Sequence, residues 1–306
     1  MRVALSTPGK FHTFDLAREL HARGALAAVF SAYPRFKLRH EGLPATSIKT
    51  FPWLMTPYMA RPWGRWISRR YMQEWENLIA ITFGQWLPRQ LPECDIYVGL
   101  SGSSLLAGQT QKRRGGHYVC DRGSSHIREQ DQILRDEHRE WGLPFIGVDP
   151  RAIAREEAEY ANSDCVTVPS RFAYRSFLNQ GFPPSRVRLL PYGVNLSKFH
   201  RLGSPSQTSF DVLFVGAMSL QKGIPYLVKA FAALRVPRKR LLFAGTLSLA
   251  LIDRLKSLKL WPAEAVILGH VKQDDLKQLM STCHVLVLPS VQDGFGMVMA
   301  QAMACG

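Results

Sequence analysis

The sequence predicts an α/β protein built from two doubly wound domains. Apolar segments of strand length alternate with amphipathic helical segments along the whole 306-residue chain. This alternation is typical of parallel sheets with crossover helices. A length of 306 residues also suits two domains of roughly 150 residues each. Each half has an apolar strand that ends in Pro-Ser, at Ser170 and at Ser290, so we expect two similar domains.

The predicted elements divide into two sets. The first set of strands is 2–5, 25–30, 96–100, 117–120, 165–168 and 187–190, and the second set is 211–215, 240–244, 265–268 and 284–288. The predicted helices are 13–23, 65–87, 151–162, 172–180, 224–234, 249–259, 273–281 and 297–304.

These sets predict an N-terminal domain at 1–195, a linker at 196–209 that is rich in Ser, Gly and Pro, and a C-terminal domain at 210–306. Four strands are few for a doubly wound sheet. We therefore expect the second domain to be incomplete, with the strand at 285–288 at an open edge.

Composition limits the classes of protein that fit. The content of 46% hydrophobic, 10% aromatic and 21% charged residues is that of a globular chain. Five cysteines without a Cys-x-x-Cys pair disfavour a disulfide framework and a zinc cluster. No apolar stretch reaches the ~20 residues of a membrane span, and the N-terminus does not resemble a signal peptide. We expect a cytoplasmic protein, with peripheral association at the inner face of the membrane as an addition.

The clearest functional signal is the segment from Pro289 to Gly306. Gly294 and Gly296 flank Phe295 directly before a predicted helix, and glycines at a helix start let the backbone approach a ligand closely. The helix N-terminus offers N–H groups and the positive end of its dipole to a phosphate. The alternative is a loop and helix that pack in an unrelated α/β protein.

A second signal follows the first strand of the second domain. Gly216 ends this strand, and Lys222 stands just before the next helix. An ammonium at the mouth of a sheet suits a diphosphate, which it contacts as a point charge. The alternative is a lysine on a solvated helix start.

The segment 289–306 resembles the most characteristic motif of glycosyltransferase family 4. In that motif an acidic residue, Gly-Phe-Gly and a second acidic residue precede Ala-Met-Ala-Cys-Gly. The resemblance implies that Asp293 contacts the donor sugar. It also implies that Gln301, in the place of the second acid, binds the ribose through one acceptor oxygen and two donors. The family usually has an Arg after the glycine of the second signal, where this chain has Ala217, whereas Lys222 is kept.

The resemblance implies two Rossmann-like domains that face each other across a cleft, the GT-B fold. It implies transfer with retention from a nucleotide-diphosphate sugar, without a cofactor and without an obligatory metal. Catalysis would then rest on positioning and on charge stabilisation of the departing diphosphate. The chain looks most like bacterial members that act in polysaccharide biosynthesis, on glycan or lipid-linked acceptors.

The N-terminal half supplies further candidates. Gly9 and Lys10 follow the first strand, in the place of the Gly-rich loop of the family, and are expected to bind the donor. Many members have a His at the end of a later strand. Here the strand end reads Cys120-Asp121, Arg122 follows it, and His126 stands in the loop five residues after Asp121. Asp121, Arg122 and His126 are therefore candidate catalytic residues. The alternative is a capped loop without a catalytic role.

A distinct insertion at 33–86 is basic and aromatic. Residues 35–72 hold eight Lys or Arg and one acid, and five of the seven tryptophans lie between Trp53 and Trp86. Apolar residues recur at 67, 71, 75, 78, 82/83 and 86, which predicts an amphipathic helix. Such a helix can lie on anionic lipid. The alternative is a core helix that packs on the sheet and leaves its arginines in solvent.

The sequence therefore predicts a retaining hexosyltransferase that transfers sugar from a nucleotide sugar to a glycan, lipid-linked or small-molecule acceptor. The alternative is a nucleotide-sugar epimerase or phosphorylase of the same architecture. A third possibility is a nucleic-acid-binding protein, since the formal charge is +15. No recognised nucleic-acid motif accompanies this charge, so we expect no nucleic-acid partner.

Overall fold

A computed structural model describes residues 1–60 and 68–306. The chain forms two compact units. The first contains Met1–Arg128 and Val148–Leu190, and the second contains Glu129–Gly147 and Pro191–Gly306. These units differ from the predicted domains chiefly because a segment of the N-terminal half, residues 129–147, belongs to the second unit.

The first unit is built on a seven-stranded sheet. Its strands are β1 (Val3–Thr7), β2 (Leu26–Ser31), β3 (Ile48–Thr50), β4 (Ile96–Leu100), β5 (His117–Asp121), β6 (Cys165–Val168) and β7 (Val187–Leu189). All pairings are parallel, in the order β3-β2-β1-β4-β5-β6-β7. This is the order of a doubly wound sheet with one additional strand. The predicted α/β fold class is confirmed.

Helices cover both faces of this sheet. They are α1 (Thr13–Ala22), α2 (Met55–Ala60), α3 (Arg69–Gln90), α4 (Leu105–Arg113), α6 (Pro150–Asn162) and α7 (Arg171–Asn179). A further helix, α5 (Ile127–Glu140), has only Ile127 and Arg128 in this unit, and the rest of it belongs to the second unit. Tyr97, Tyr118 and Phe177 are fully buried in one apolar cluster, and Leu5 and Phe14 are buried in another. Burial in both clusters explains why the central strands are apolar along their length.

The buried face of helix α3 differs in part from the apolar stripe that the sequence predicts. Its buried apolar residues are Met72, Ile79, Phe83 and Leu87, which pack into the unit. Of the predicted positions, 83 is buried, 75 and 86 are half-buried, and 71 and 78 are exposed. Position 67 and the predicted start of the helix at 65 lie outside the described residues. The core face is therefore rotated relative to the predicted one, and a second apolar face remains in solvent.

The second unit has a four-stranded parallel sheet. Its strands are β8 (Phe210–Val215), β9 (Lys239–Ala244), β10 (Ala265–Gly269) and β11 (Val285–Leu286), in the order β10-β9-β8-β11. Its other helices are α8 (Ile224–Ala233), α9 (Leu249–Ser257), α10 (Gln273–Thr282) and α11 (Met297–Ala304). Strand β11 lies at an edge as predicted, although it is shorter than the predicted 284–288. The incomplete second domain stays a prediction.

The segment 129–147 is anchored in the second unit by Trp141. This side chain is 5% exposed and packs in the same cluster as Phe214 and Ile224. Lys229 Nζ lies 4.6 Å from the centroid of its ring, and Arg254 Nε donates to its backbone oxygen at 2.9 Å. A buried indole with these contacts explains why residues 129–147 belong to the C-terminal unit.

Candidate active site

Two loops of the second unit meet beyond the carboxyl ends of neighbouring strands. One follows β8 and carries Lys222, and the other follows β11 and carries Asp293. Lys222 Nζ lies 2.5 Å from Asp293 Oδ2, and Gly294 N donates to Asp293 Oδ1 at 2.8 Å. Both side chains are about one-quarter exposed, so a ligand can reach them. The structure thus brings together the charged residues of the two sequence signals.

Two glutamines hold these loops together. Gln221 Nε2 donates to Gln292 Oε1 at 2.6 Å, and Val291 N donates to Gln221 O at 3.0 Å. Gln292 is fully buried, and a buried amide without partners would be costly. Neither glutamine was among the residues that the sequence indicated for this site. Their direct adjacency to Lys222 and Asp293 is the signal that could have indicated them.

The second unit also places two helix starts at this end of its sheet. Helix α8 begins after Gly223 and helix α11 after Gly296, both glycines have left-handed backbone (φ 69° and 67°), and neither helix has a side-chain cap. A Cβ on Gly223 would lie 1.9 Å from the backbone oxygen of Pro289, so only glycine allows this approach. Uncapped helix starts favour anions, because their first N–H groups have no helical acceptor.

The remaining donor candidates line the same loops. Gly216 directly follows β8, and its N–H donates to Ala244 O at 2.9 Å. The Phe295 ring lies 5.5 Å from that of Tyr192, and Gln301 is half-buried in α11. The binding roles of Gly216, Gly294, Phe295, Gly296 and Gln301 stay predictions.

In the first unit, Asp121 lies at the carboxyl end of β5 and is 9% exposed. Its Oδ2 lies 2.5 Å from His12 Nε2, and its Oδ1 accepts from Thr167 Oγ1 at 2.9 Å. His12, in the loop after β1, was not among the sequence candidates. One sequence feature could have indicated His12. It stands at the N-cap of a predicted helix, a position that Ser, Thr, Asp or Asn usually occupies. His12 occupies that position without a side-chain capping bond.

The structure does not bring His126 to this edge with Asp121. The His126 ring lies 5.1 Å from the Tyr160 ring and 4.9 Å from the Phe177 ring, and it is 5% exposed. Burial lowers the pKa of His126 to about 4, against an opposing contribution from the Glu157 charge. His126 is therefore neutral and packed in the core at physiological pH, and its predicted catalytic role stays untested.

Arg122 and Lys10 have acidic partners within the unit. Arg122 Nη1 lies 2.9 Å from Glu156 Oε2, with both side chains 11% exposed, and Arg122 Nε donates to Ser125 O. The Lys10 ammonium contacts the Glu41 carboxylate. Gly9 precedes Lys10, and its backbone oxygen accepts from a strand hydroxyl. These contacts locate the three residues, and their predicted functional roles stay predictions.

Within residues 1–60 and 68–306, no group of three or more His, Cys, Asp and Glu side chains is arranged to hold a metal ion. None of the helices described in these ranges is long and apolar enough to cross a membrane.

Comparison with known proteins assigns a class to the second unit. Residues 209–306 match the family described as Glycosyl transferases group 1. An uncharacterized glycosyltransferase of Methanocaldococcus jannaschii is 38% identical over 140 residues, which are 40% of this chain and 35% of that protein. A D-inositol 3-phosphate glycosyltransferase of an Arthrobacter species is 28% identical over 257 residues, or 72% of this chain and 60% of that protein.

The fold also matches solved structures. The Anabaena protein HepE, in complex with UDP and glucose, aligns over all of this chain and 78% of its own, with a TM-score of 0.63 and 14% identity. The chain spans 35% and 60% of the length of the two curated relatives. Together these matches give the chain the GT-B fold and support a glycosyltransferase.

Proposed function

We propose that the protein is a retaining glycosyltransferase of family 4 that uses a nucleotide-diphosphate sugar. The single observation that carries this proposal is the 2.5 Å contact between Lys222 Nζ and Asp293 Oδ2, beyond the ends of β8 and β11. Ligands of doubly wound sheets bind at this end of the strands. The family match over residues 209–306 covers both residues.

In this proposal the donor diphosphate binds between Lys222 and the starts of α8 and α11. Lys222 exchanges its contact with Asp293 for one with phosphate oxygens, so a cation is already held where the anion arrives. The helix N–H groups add donors to the departing diphosphate. Asp293 then accepts hydrogen bonds from hydroxyls of the donor sugar, and Gln301 contacts the ribose.

No cofactor or metal takes part in this scheme. Lys222 and backbone N–H groups compensate the negative charge that develops on the leaving diphosphate, and the acceptor attacks from the face on which the diphosphate leaves. The relatives named above support transfer over epimerisation or phosphorolysis, because those whose names state an activity are glycosyltransferases.

We propose further that the acceptor is a glycan or is lipid-linked, and that the protein acts in the cytoplasm at an anionic membrane surface. The supporting features are the basic composition of 35–72 and the second apolar face of α3. On that face Tyr71 is 73%, Leu78 47% and Ile81 39% exposed. With Leu54 and Trp75 these residues line a groove of about 870 Å³. Arg61 and Arg65, part of the same predicted patch, lie outside the described residues.

The donor site is tested by calorimetric titration with UDP, GDP and ADP. The Lys222→Ala variant should bind the preferred nucleotide roughly tenfold or more weakly, because a charge-assisted hydrogen bond is worth about 1.5–3 kcal/mol. Lys256→Ala, which removes an exposed lysine on α9 of the same unit, is the matched control and should bind as the wild type does. Equal affinities of both variants for the nucleotide would contradict the assignment of the site.

A further inference from the structure

A segment from the N-terminal half of the chain contacts the first turn of helix α8. The hydroxyl of Tyr226, in this first turn, donates to Glu137 Oε1 at 2.8 Å and to Glu137 Oε2 at 3.1 Å. Glu137 stands 89 positions earlier in the chain, in the part of α5 that belongs to the second unit. The contact is thus a product of the tertiary fold within this unit.

The side chain of Trp141 packs beside this hydrogen bond. Its ring meets the Tyr226 ring edge to face, with the centroids 6.1 Å apart. Lys229, further along α8, places its Nζ 4.6 Å from the centroid of the indole. Trp141 also clusters with Ile224 and Leu227 on the buried face of α8. The segment 129–147 therefore holds α8 through a hydrogen bond, an aromatic pair, a cation–π contact and apolar packing.

The Tyr226 hydroxyl stays protonated at physiological pH. Burial, together with the hydrogen bond to Glu137, raises the pKa of Tyr226 above its usual value, so the phenol remains the donor. A hydroxyl that donates to a carboxylate forms a stronger bond than a neutral pair does. Both side chains are half-buried, which limits competition from water. The pair therefore restrains the first turn of α8.

This turn is joined directly to Lys222. The next residue, Gly223, accepts with its backbone oxygen from Tyr226 N at 3.0 Å. On its other side, Gly223 lies so close to the loop after β11 that a Cβ would be 1.9 Å from the backbone oxygen of Pro289. The start of α8 is thus held between this loop and helix α5. A displacement of the first turn would displace Lys222 as well.

We propose that Glu137 and Tyr226 are positioning residues of the donor site, which hold Lys222 where it binds the diphosphate of the donor. This inference rests on the proposed function. It assigns a role in donor binding to a segment of the N-terminal half that the sequence motifs did not indicate. The two residues act through α8 and Lys222. Misplacing a binding group by about 1 Å can cost roughly 10²-fold in rate, so a restraint on this turn is sufficient to affect the donor.

The first test is calorimetric titration of variants with UDP, GDP and ADP. Tyr226→Phe removes only the hydroxyl, and Glu137→Ala removes its acceptor. Each should weaken binding of the preferred nucleotide roughly tenfold, as expected for a charge-assisted hydrogen bond. Glu137→Ala should cost less than about twofold more in the Tyr226→Phe background, because both changes break the same bond. Glu137→Gln keeps an acceptor oxygen and should recover most of the affinity. Additive losses would overturn the proposal.

Glu140→Ala is the matched control. Glu140 is exposed and lies on the same helix as Glu137, so this variant removes the same charge but leaves the Tyr226 hydrogen bond in place. It should bind the nucleotide as the wild type does. A loss equal to that of Glu137→Ala would attribute the effect to charge alone and overturn the proposal.

A comparison of ligands separates the positioning of Lys222 from a general effect on the fold. Saturation-transfer NMR measures the weak binding of uridine, guanosine and adenosine, which lack the phosphates that Lys222 would contact. Tyr226→Phe should bind the nucleoside as the wild type does, whereas its affinity for the diphosphate falls. Equal losses for the nucleoside and the diphosphate would overturn the positioning of Lys222.

Hydrogen–deuterium exchange tests the contact without a ligand. The amides of α8 should exchange about tenfold faster in Tyr226→Phe than in the wild type, while those of α10 should exchange equally in both. Unchanged exchange in α8 would overturn the proposal even if nucleotides bind. If the wild type binds none of the three nucleotides, the proposed function is contradicted, and the exchange still decides whether Glu137 and Tyr226 hold α8.

Discussion

At the scale of single residues, two histidines of the first unit have opposite surroundings. His12 is held by a carboxylate at the edge of the sheet, whereas His126 lies between the rings of Tyr160 and Phe177. A buried imidazole without a carboxylate contact favours its neutral form, because burial penalises the charge. The sequence could not distinguish these environments, since both histidines lie in loops that follow strands.

The surroundings of His126 predict a pH dependence of stability. Its pKa is about 4 in the folded chain and about 6.5 when unfolded. The unfolded state therefore binds more protons between these values, and the free energy of unfolding falls as the pH drops from 6.5 to 4. The loss from this one group is at most ~3 kcal/mol. Above about pH 6.5, His126 causes no such loss of stability.

Urea unfolding at pH 7 and pH 5 measures this effect. His126→Gln cannot gain a proton, so its stability should change less between the two pH values than that of the wild type. The other titratable groups are the same in both proteins. The pH-dependent change in unfolding free energy of the wild type, minus that of the variant, is therefore the contribution of His126. Parallel pH dependences would show that the imidazole is not protected from protonation.

At the scale of elements, helix α3 has two apolar faces with different roles. Met72, Ile79, Phe83 and Leu87 are buried in the core, so the core-helix interpretation holds for one face. The other face exposes Tyr71 and Leu78 beside the basic segment. This second face is what a peripheral contact with anionic lipid requires.

Vesicle sedimentation tests the second face. The wild type should bind vesicles that contain phosphatidylglycerol at low salt and dissociate as salt screens the charges. Replacing Tyr71 and Leu78 by Asp should weaken this binding about tenfold or more, because apolar burial is lost and charge is added. Leu106→Asp on α4 is a suitable control, since Leu106 is 43% and Leu78 47% exposed. Equal loss in the control would leave α3 without a specific role in lipid binding.

The sequence predicted most strands and several helices but missed others, among them α4, α5 and β3. Two of these, α4 and β3, depend on distant contacts. Helix α4 is one example, because its start is stabilised by Glu159, whose carboxylate accepts from the N–H groups of Ser104 at 2.6 Å and Leu105 at 3.2 Å. Ser104 stands at the N-cap, but its hydroxyl pairs with Tyr118 Oη at 2.6 Å and makes no capping hydrogen bond. Strand β3 has three residues and forms only by pairing with β2.

The donor loops were predicted more completely than the first-unit site. Lys222 and Asp293 lie in contiguous motifs, and their meeting follows from the adjacency of β8 and β11. His12 and Asp121 are separated by β4 in the sheet. Their contact depends on side-chain reach across that strand, which periodicity does not encode. The burial of Trp141 in the second unit could not be predicted either, because it depends on residues far away in the sequence.

At the scale of the whole molecule, the proposed donor site lies in the second unit. The second unit contains Lys222, Asp293 and two uncapped helix starts, which suit a nucleotide diphosphate. We propose that the chain uses this site in the transfer of a sugar with retention.

The most direct measurement is proton NMR of the products formed from a panel of UDP-, GDP- and ADP-sugars. We predict release of a nucleoside diphosphate and a product whose anomeric configuration equals that of the donor, with both lost in Lys222→Ala. An inverted anomer would contradict retention. An intact nucleotide sugar with one changed ring centre, or release of a sugar phosphate in the presence of orthophosphate, would contradict glycosyl transfer and support the epimerase or the phosphorylase instead.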